Sequence, residues 1–268
     1  MTSRIPHIFK SNKLKNKKTF ISYLVCGDPS NDFTLSAMHT MSESGVDIIE
    51  LGIPFTDPIA DGPVIQQSID RSLKNKTSLR DVISLVKDFR KVNKDTAVVL
   101  MGYMNPIHKM GINKFTRLIN ESGIDGVLIV DSPPEESEVL NKYLRKYNKS
   151  HIYLASPTTT DQRMRSIAAM SSGYIYYVTI KGITGSKLSN IGKIKENVKK
   201  IKKISNDKLP VAVGFGIKDK KSAKTMAEFS DGIIIGSSIV ELINKHSKNK
   251  KIMNNKLSSY ISSIARVM

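Results

Sequence analysis

Two carboxylates have the setting and the spacing for proton chemistry. Glu50 follows Ile48 and Ile49 and precedes Leu51-Gly52, so an acidic residue stands in an apolar run that reads as a buried strand. A carboxylate there is unfavourable unless it has a partner or a task. Desolvation raises its pKa, which suits a group that gives and takes a proton. A structural Glu bonded to backbone or to a tyrosine fits the same residues equally well. Asp61 closes the stretch Pro54-Phe-Thr-Asp-Pro-Ile-Ala-Asp-Gly-Pro63, a long segment stiffened by prolines. Long ordered loops of this kind tend to carry function. Asp before Gly-Pro is equally at home as a turn residue or helix cap.

Three glycine-bearing segments suggest a place for an anion. They are Gly182-Ile183-Thr184-Gly185, Gly214-Phe215-Gly216-Ile217 and Ile235-Gly236-Ser237-Ser238. Small residues let backbone N–H groups approach a phosphate, and a helix starting at Ser237 would present its positive end. The first of the three could also serve as a lid. Each alone reads as a tight turn; together, at the ends of strands, they point to phosphate.

These positions need a scaffold, and the chain has the beat of one. Short apolar runs are predicted as strands at 20–25, 46–51, 97–101, 126–130, 152–155, 174–179, 210–213 and 232–235. Amphipathic helices are predicted at 31–44, 78–92, 114–122, 134–147, 160–170, 191–205, 219–228, 237–244 and 253–265. About eight strand–helix units close a (β/α)8 TIM barrel, here with additional N-terminal and C-terminal helices. An open doubly wound sheet is the rival. It would favour a Gly-rich dinucleotide loop after the first strand, where Gly27-Asp28-Pro29 stands instead. No linker or composition break divides residues 1–268, so one domain is expected. In such a barrel the active site lies at the C-terminal ends of the strands, where Glu50 and the glycine segments fall.

Composition narrows the function classes. The net charge of +18 invites a nucleic-acid reading. The lysines, however, are spread along the chain apart from 193–208 and 245–256, and there is no base-reading motif and no Trp to stack on bases. A solvated basic surface is expected, with neither nucleic acid nor membrane as partner. The one cysteine, Cys26, excludes a disulfide framework and a zinc cluster. No apolar run reaches a membrane span and no secretory h-region is present, so a cytoplasmic protein is expected.

The stretch from Glu50 to Pro63 resembles the signature of tryptophan synthase alpha subunits. The likeness continues through Gly27-Asp28-Pro29, Asp131-Ser-Pro-Pro-Glu-Glu136, Gly182–Gly185, Gly214–Ile217 and Gly236-Ser237, in the family order and over nearly the whole chain. The resemblance implies retro-aldol cleavage of indole-3-glycerol phosphate to indole and glyceraldehyde 3-phosphate, with no metal and no cofactor in this chain. Glu50 would carry the protons and Asp61 would hold the indole N–H. Tyr23, Tyr103, Tyr176 and Thr184 would contact substrate, Tyr176 beside the Glu and Thr184 against Asp61. As a plain reading, Tyr176 is also an ordinary barrel-core aromatic. Gly185, Phe215, Gly216, Gly236 and Ser237 would bind the phosphate. The resemblance also implies a PLP-dependent beta subunit in an αββα assembly, with Asp57, Asn105 and Pro133 on the docking face and PLP in that partner.

Two segments depart from the family pattern. Val25-Cys26 precede Gly27 where Thr-Leu is usual, and the lid segment has Lys181 where Arg is usual. Other readings stay open at this point. One is another phosphate-binding barrel enzyme, such as a phosphosugar isomerase or indole-glycerol-phosphate synthase. Another is a basic nucleic-acid-binding protein. A third is a barrel that has lost catalysis and only activates a partner.

Overall fold

The computed structural model describes residues 3–179, 187–214 and 216–268, with the side chains of 187–190 left out. Among the described residues, eight strands run β1 (Thr19–Val25), β2 (Ile48–Gly52), β3 (Ala97–Gly102), β4 (Gly126–Ile129), β5 (Ser150–Ala155), β6 (Ile175–Val178), β7 (Val211–Gly214) and β8 (Gly232–Ile235). Each pairs in parallel with the next and β8 returns to β1, so the sheet closes in the order of the sequence. The helices among the described residues are α1 (Ile5–Leu14), α2 (Asn31–Glu43), α3 (Pro63–Lys74), α4 (Leu79–Val92), α5 (Met104–Met110), α6 (Ile112–Glu121), α7 (Glu138–Lys146), α8 (Asp161–Met170), α9 (Lys187–Ile204), α10 (Lys220–Ala227), α11 (Ser237–Lys245) and α12 (Lys250–Ala265). The expected barrel with extra terminal helices is the observed fold.

Strand parity sorts the core into two shells. Ile21, Ile48, Ala97, Val99, Leu128, Ile152, Tyr174, Ala212 and Ile234 fill the barrel interior. Their strand neighbours Phe20, Leu24, Ile49, Leu51, Val98, Leu100, Val127, Ile233 and Ile235 face the helices. Glu50 shares parity with Ile48 and so points inward. The bottom of the barrel is closed by α1, whose Ile5 and Phe9 belong to the inner cluster. Phe9 packs on Tyr174 with ring centroids 5.6 Å apart. Beside this plug, buried Asp125 accepts from Arg4 and Arg90 at 2.9 Å each and from the Val98 N–H, which ties the starts of β3 and β4 together.

Several helices begin on the residue that caps them. Ser78 and Asp81 form a reciprocal capping box, and Thr160 accepts from the Arg163 N–H. Three sequence expectations need correction. The stretch between the second strand and Ser78 is not one loop: α3 occupies Pro63–Lys74, and Pro63 opens that helix rather than stiffening a coil. A second unforeseen helix, α5, contains Pro106 in its first turn. The predicted helix 134–147 is instead a 3-10 turn, Pro134–Glu136, followed by α7. The break falls at buried Ser137, whose hydroxyl donates to the Pro133 carbonyl at 2.6 Å and so competes with helix propagation.

Candidate active site

The C-terminal mouth of the barrel brings Glu50, Asp61, Tyr23, Tyr103 and Tyr176 together. Glu50 sits on β2 in register with Tyr23 on β1 and Val99 on β3. Its side chain has no exposed surface. Oε1 accepts a short hydrogen bond of 2.5 Å from the Tyr174 hydroxyl. Oε2 is buried and has no hydrogen-bond partner among the described residues. Burial pushes the Glu50 carboxyl up to about 7, against a smaller downward pull from Tyr174. A carboxyl poised near neutrality with one oxygen held and the other free is equipped to pass a proton both ways.

Asp61 reaches the same space from the loop between β2 and α3. Its Oδ2 accepts from the Tyr103 hydroxyl at 2.6 Å. The same phenol oxygen accepts from the Ala60 N–H at 3.0 Å, so Tyr103 grips the loop at two points. The Phe55 ring lies 5.1 Å from that of Tyr103. Asp61 is therefore neither the cap of α3, which is Gly62, nor a bare turn residue. Partial burial raises its pKa, and the Tyr103 hydrogen bond opposes the rise. The two carboxyls differ in degree of burial: Glu50 has no exposed surface, while Asp61 keeps some contact with solvent.

Tyr23 and Tyr176 flank both acids. Burial is the largest cause of their raised phenol pKa values, followed by the charges of Asp61 and Glu50. Both phenols stay protonated, so each brings a neutral hydroxyl and no negative charge to the site. Two glycines make room for them. A Cβ on Gly52 would collide with the Tyr23 hydroxyl, and one on Gly214 would lie 2.5–2.8 Å from the Tyr176 ring. Tyr174 was not singled out in the sequence, although it shares parity with Tyr176 two residues on. It precedes the first residue of β6 and reaches Glu50 from the floor of the site.

The glycine-bearing rim lies at the ends of β7 and β8. Gly216 takes a left-handed φ of 79°, and among the described residues no atom lies within 4 Å of the position a Cβ would take. Gly236 caps α11, which has no side-chain cap and no acidic residue in its first turn. The N–H groups of Ser237 and Ser238 precede the first bond of that helix, which the Ile239 N–H makes to Gly236. The Tyr23 Cβ lies 3.4 Å from the Cβ position of Gly236, so this helix start adjoins the aromatic wall. Thr184, Gly185, Phe215 and Lys181 lie outside the described residues.

Around the rim, Asp57 and Ile59 on the loop after β2 and Asn105 at the start of α5 are exposed, and Pro133 on the loop after β4 is half-buried. Ile59 is 86% exposed. Asp131 accepts from the Met104 N–H at 2.8 Å, which joins the β3 and β4 loops. Among the described residues no group of His, Cys, Asp and Glu could hold a metal ion. No described helix is long and apolar enough to cross a membrane.

The fold and the site define a (β/α)8-barrel enzyme with two carboxyls, Glu50 and Asp61, gathered at the barrel mouth. Its sequence places it further. Residues 9–268 match the family described as tryptophan synthase alpha chain, and the chain belongs to that family. It is 44% identical to the tryptophan synthase alpha chain of Marinobacter nauticus, over 97% of this chain and 95% of that one. It is 42% identical to that of Nitrosomonas europaea, over 99% and 95%. The crystal structure of tryptophan synthase subunit alpha from Legionella pneumophila superposes with a TM-score of 0.91 at 38% identity, covering 100% of this chain and 98% of that one.

Proposed function

We propose that this chain cleaves indole-3-glycerol phosphate by a retro-aldol reaction, with Glu50 as the proton carrier and Asp61 as its electrostatic partner. The observation that carries the roles is the buried, unpartnered Oε2 of Glu50 beneath a second carboxylate. The indole ring carbon is a poor leaving group until it is protonated. Protonated Glu50 donates to that carbon and produces an indolenine cation. Asp61, ionised, accepts a hydrogen bond from the ring N–H and stabilises the positive charge as it develops. The Glu50 carboxylate then takes the proton of the glycerol hydroxyl next to the scissile bond. The hydroxyl carbon becomes the aldehyde, and the C–C bonding pair returns to the ring. The products are indole and glyceraldehyde 3-phosphate, and Glu50 ends as it began, protonated.

The remaining residues bind. Tyr23 and Tyr176 wall the indole ring, with Tyr103 and Thr184 holding Asp61. The phosphate lies against Gly185, Phe215, Gly216, Gly236 and Ser237, where the start of α11 offers the N–H groups that precede its first helical bond and a positive helix end. The family implies a beta-subunit partner. The exposed loop of Asp57 and Ile59, with Asn105 and Pro133, is the docking face in an αββα assembly. PLP belongs to that partner, and the reaction on this chain asks only for proton transfers by its own side chains. The chain works in the cytoplasm.

The test is release of indole from indole-3-glycerol phosphate by the full chain, alone and with a tryptophan synthase beta subunit. Release is expected in both cases, faster with the partner; none with the partner present would contradict the assignment. The Tyr103 hydrogen bond gives a second expectation. It favours the ionised form of Asp61, so Tyr103→Phe raises the Asp61 pKa. Because Asp61 must be ionised to work, the acid limb of kcat/KM moves to higher pH in the variant. An unmoved acid limb would separate Tyr103 from that titration.

A further inference from the structure

We infer that Gln66 is a positioning residue for Asp61, a role that rests on the proton-transfer reading above. Gln66 lies in the first turns of α3 and its side chain turns back over the loop. One amide nitrogen donates to the Asp61 carbonyl at 2.9 Å and to the Pro58 carbonyl at 3.3 Å. A primary amide has two N–H donors, and both are used here. The Pro58 carbonyl also accepts from the Asp61 N–H at 3.1 Å, so the turn from 58 to 61 is closed from within and strapped from the helix. Tyr103 holds the other side of the same turn through Ala60 and the Asp61 carboxylate. Among the described residues, the Gln66 side chain bonds to main-chain carbonyls alone.

A strap is useful only if its anchor is fixed, and α3 is fixed at its far end. Arg71 clasps both oxygens of buried Asp28 with bonds of 2.8 and 2.7 Å, and the Ser68 hydroxyl donates to the same carboxylate. Ser72 donates to the Cys26 carbonyl at 2.5 Å and Asn75 to the Gly27 carbonyl at 3.0 Å. Ser68, Arg71 and Ser72 lie on α3 and Asn75 caps its end, and these partners lie in the turn that follows β1. Between the two ends, Ile65 and Ile69 pack with Tyr23, Val25 and Val240. The helix therefore carries the position of β1, which bears Tyr23 in register with Glu50, to the backbone of Asp61. Gln66 makes the last link in that chain. Without it the loop keeps its Tyr103 contact but is free to pivot, and a misplacement of about 1 Å can cost on the order of 100-fold in rate.

The experiment is a double-mutant cycle in the full chain with a beta subunit, read as kcat and KM for indole release. Gln66→Leu keeps the bulk and removes the donors. It is expected to lower kcat roughly 10- to 100-fold with KM changed less than about 3-fold. In an Asp61→Asn background the same change is expected to lower kcat by less than about 2-fold, because the group being positioned is already lost. Gln66→Asn retains an amide that can reach one carbonyl and should recover part of the rate. It also serves as the probe if Gln66→Leu does not fold. If Asp61→Asn alone turns over at the wild-type rate, the catalytic reading of Asp61 fails and the strap has nothing to position. If Asp61→Asn is slow while Gln66→Leu keeps wild-type kcat, or if the two losses multiply in the double variant, the positioning role alone is overturned.

Discussion

Glu50→Gln should lower kcat for indole release by roughly 10³- to 10⁴-fold while leaving KM within a few-fold of wild type. One general acid–base contributes about 10²- to 10⁴-fold, and Glu50 is asked to act twice in one turnover, first as acid and then as base. The amide can still accept from Tyr174, so the local packing survives and the loss reads chemistry rather than collapse. The pH profile sharpens the expectation. The cycle starts from protonated Glu50, whose burial holds its pKa near 7, so the rate is sustained below that point and falls above it. Asp61 must be ionised, so the acid limb belongs to it. Asp61→Asn should cost less, about 10²-fold, because it removes one electrostatic contact and no proton transfer. Steady-state indole release across pH checks all of this. A Glu50→Gln enzyme within about tenfold of wild type would leave Glu50 a structural residue.

The same burial makes Glu50 a stability liability at high pH. Its folded-state pKa of about 7 lies above the ordinary 4.5. The folded state therefore holds a proton that the unfolded chain releases more readily, and stability falls as pH rises between those values. From about pH 5 to about pH 8 this one group should remove roughly 2–3 kcal/mol. Glu50→Gln abolishes that dependence. It carries a pH-independent penalty of about 1–3 kcal/mol, since the new N–H₂ stands where Oε2 finds no partner. The variant should thus be the less stable protein at low pH and gain on wild type as pH rises. Urea unfolding of both proteins at the two pH values measures the change. A stability difference that stays constant with pH would mean that Glu50 is not neutral in the folded state at low pH and charged at high pH.

Much of this arrangement is written locally. Strand parity puts Glu50 on the inner face with Ile48, and the apolar run around it leaves burial as the only outcome. Gly236 and Ser237 stand at the last strand end because a helix must start there. Contacts that join distant segments were harder to read. Tyr174 meets Glu50 across 124 positions of sequence, and only barrel closure brings them together. The α3 helix was hidden because its inward stripe holds two apolar residues, Ile65 and Ile69, beside buried Ser68 and Ser72, and because Pro63 reads equally as a loop residue. Gln66 gave no signal, since its partners are main-chain carbonyls that every residue possesses. Thr184 was expected against Asp61. The described contact there is made by Tyr103, which the family resemblance implies as a substrate contact without showing its hydrogen bonds.

Proton transfer between Glu50 and the indole ring carbon can be observed without any cleavage. The full chain, with a beta subunit, is incubated with indole in deuterated water, and loss of the ring C3 proton signal is followed by NMR. If Glu50 carries the proton, wild type accelerates deuterium entry at C3 over the buffer rate and Glu50→Gln does not, while Asp61→Asn retains a slower exchange. Exchange at the wild-type rate in Glu50→Gln would contradict the account, because some other group would then be the acid at that carbon.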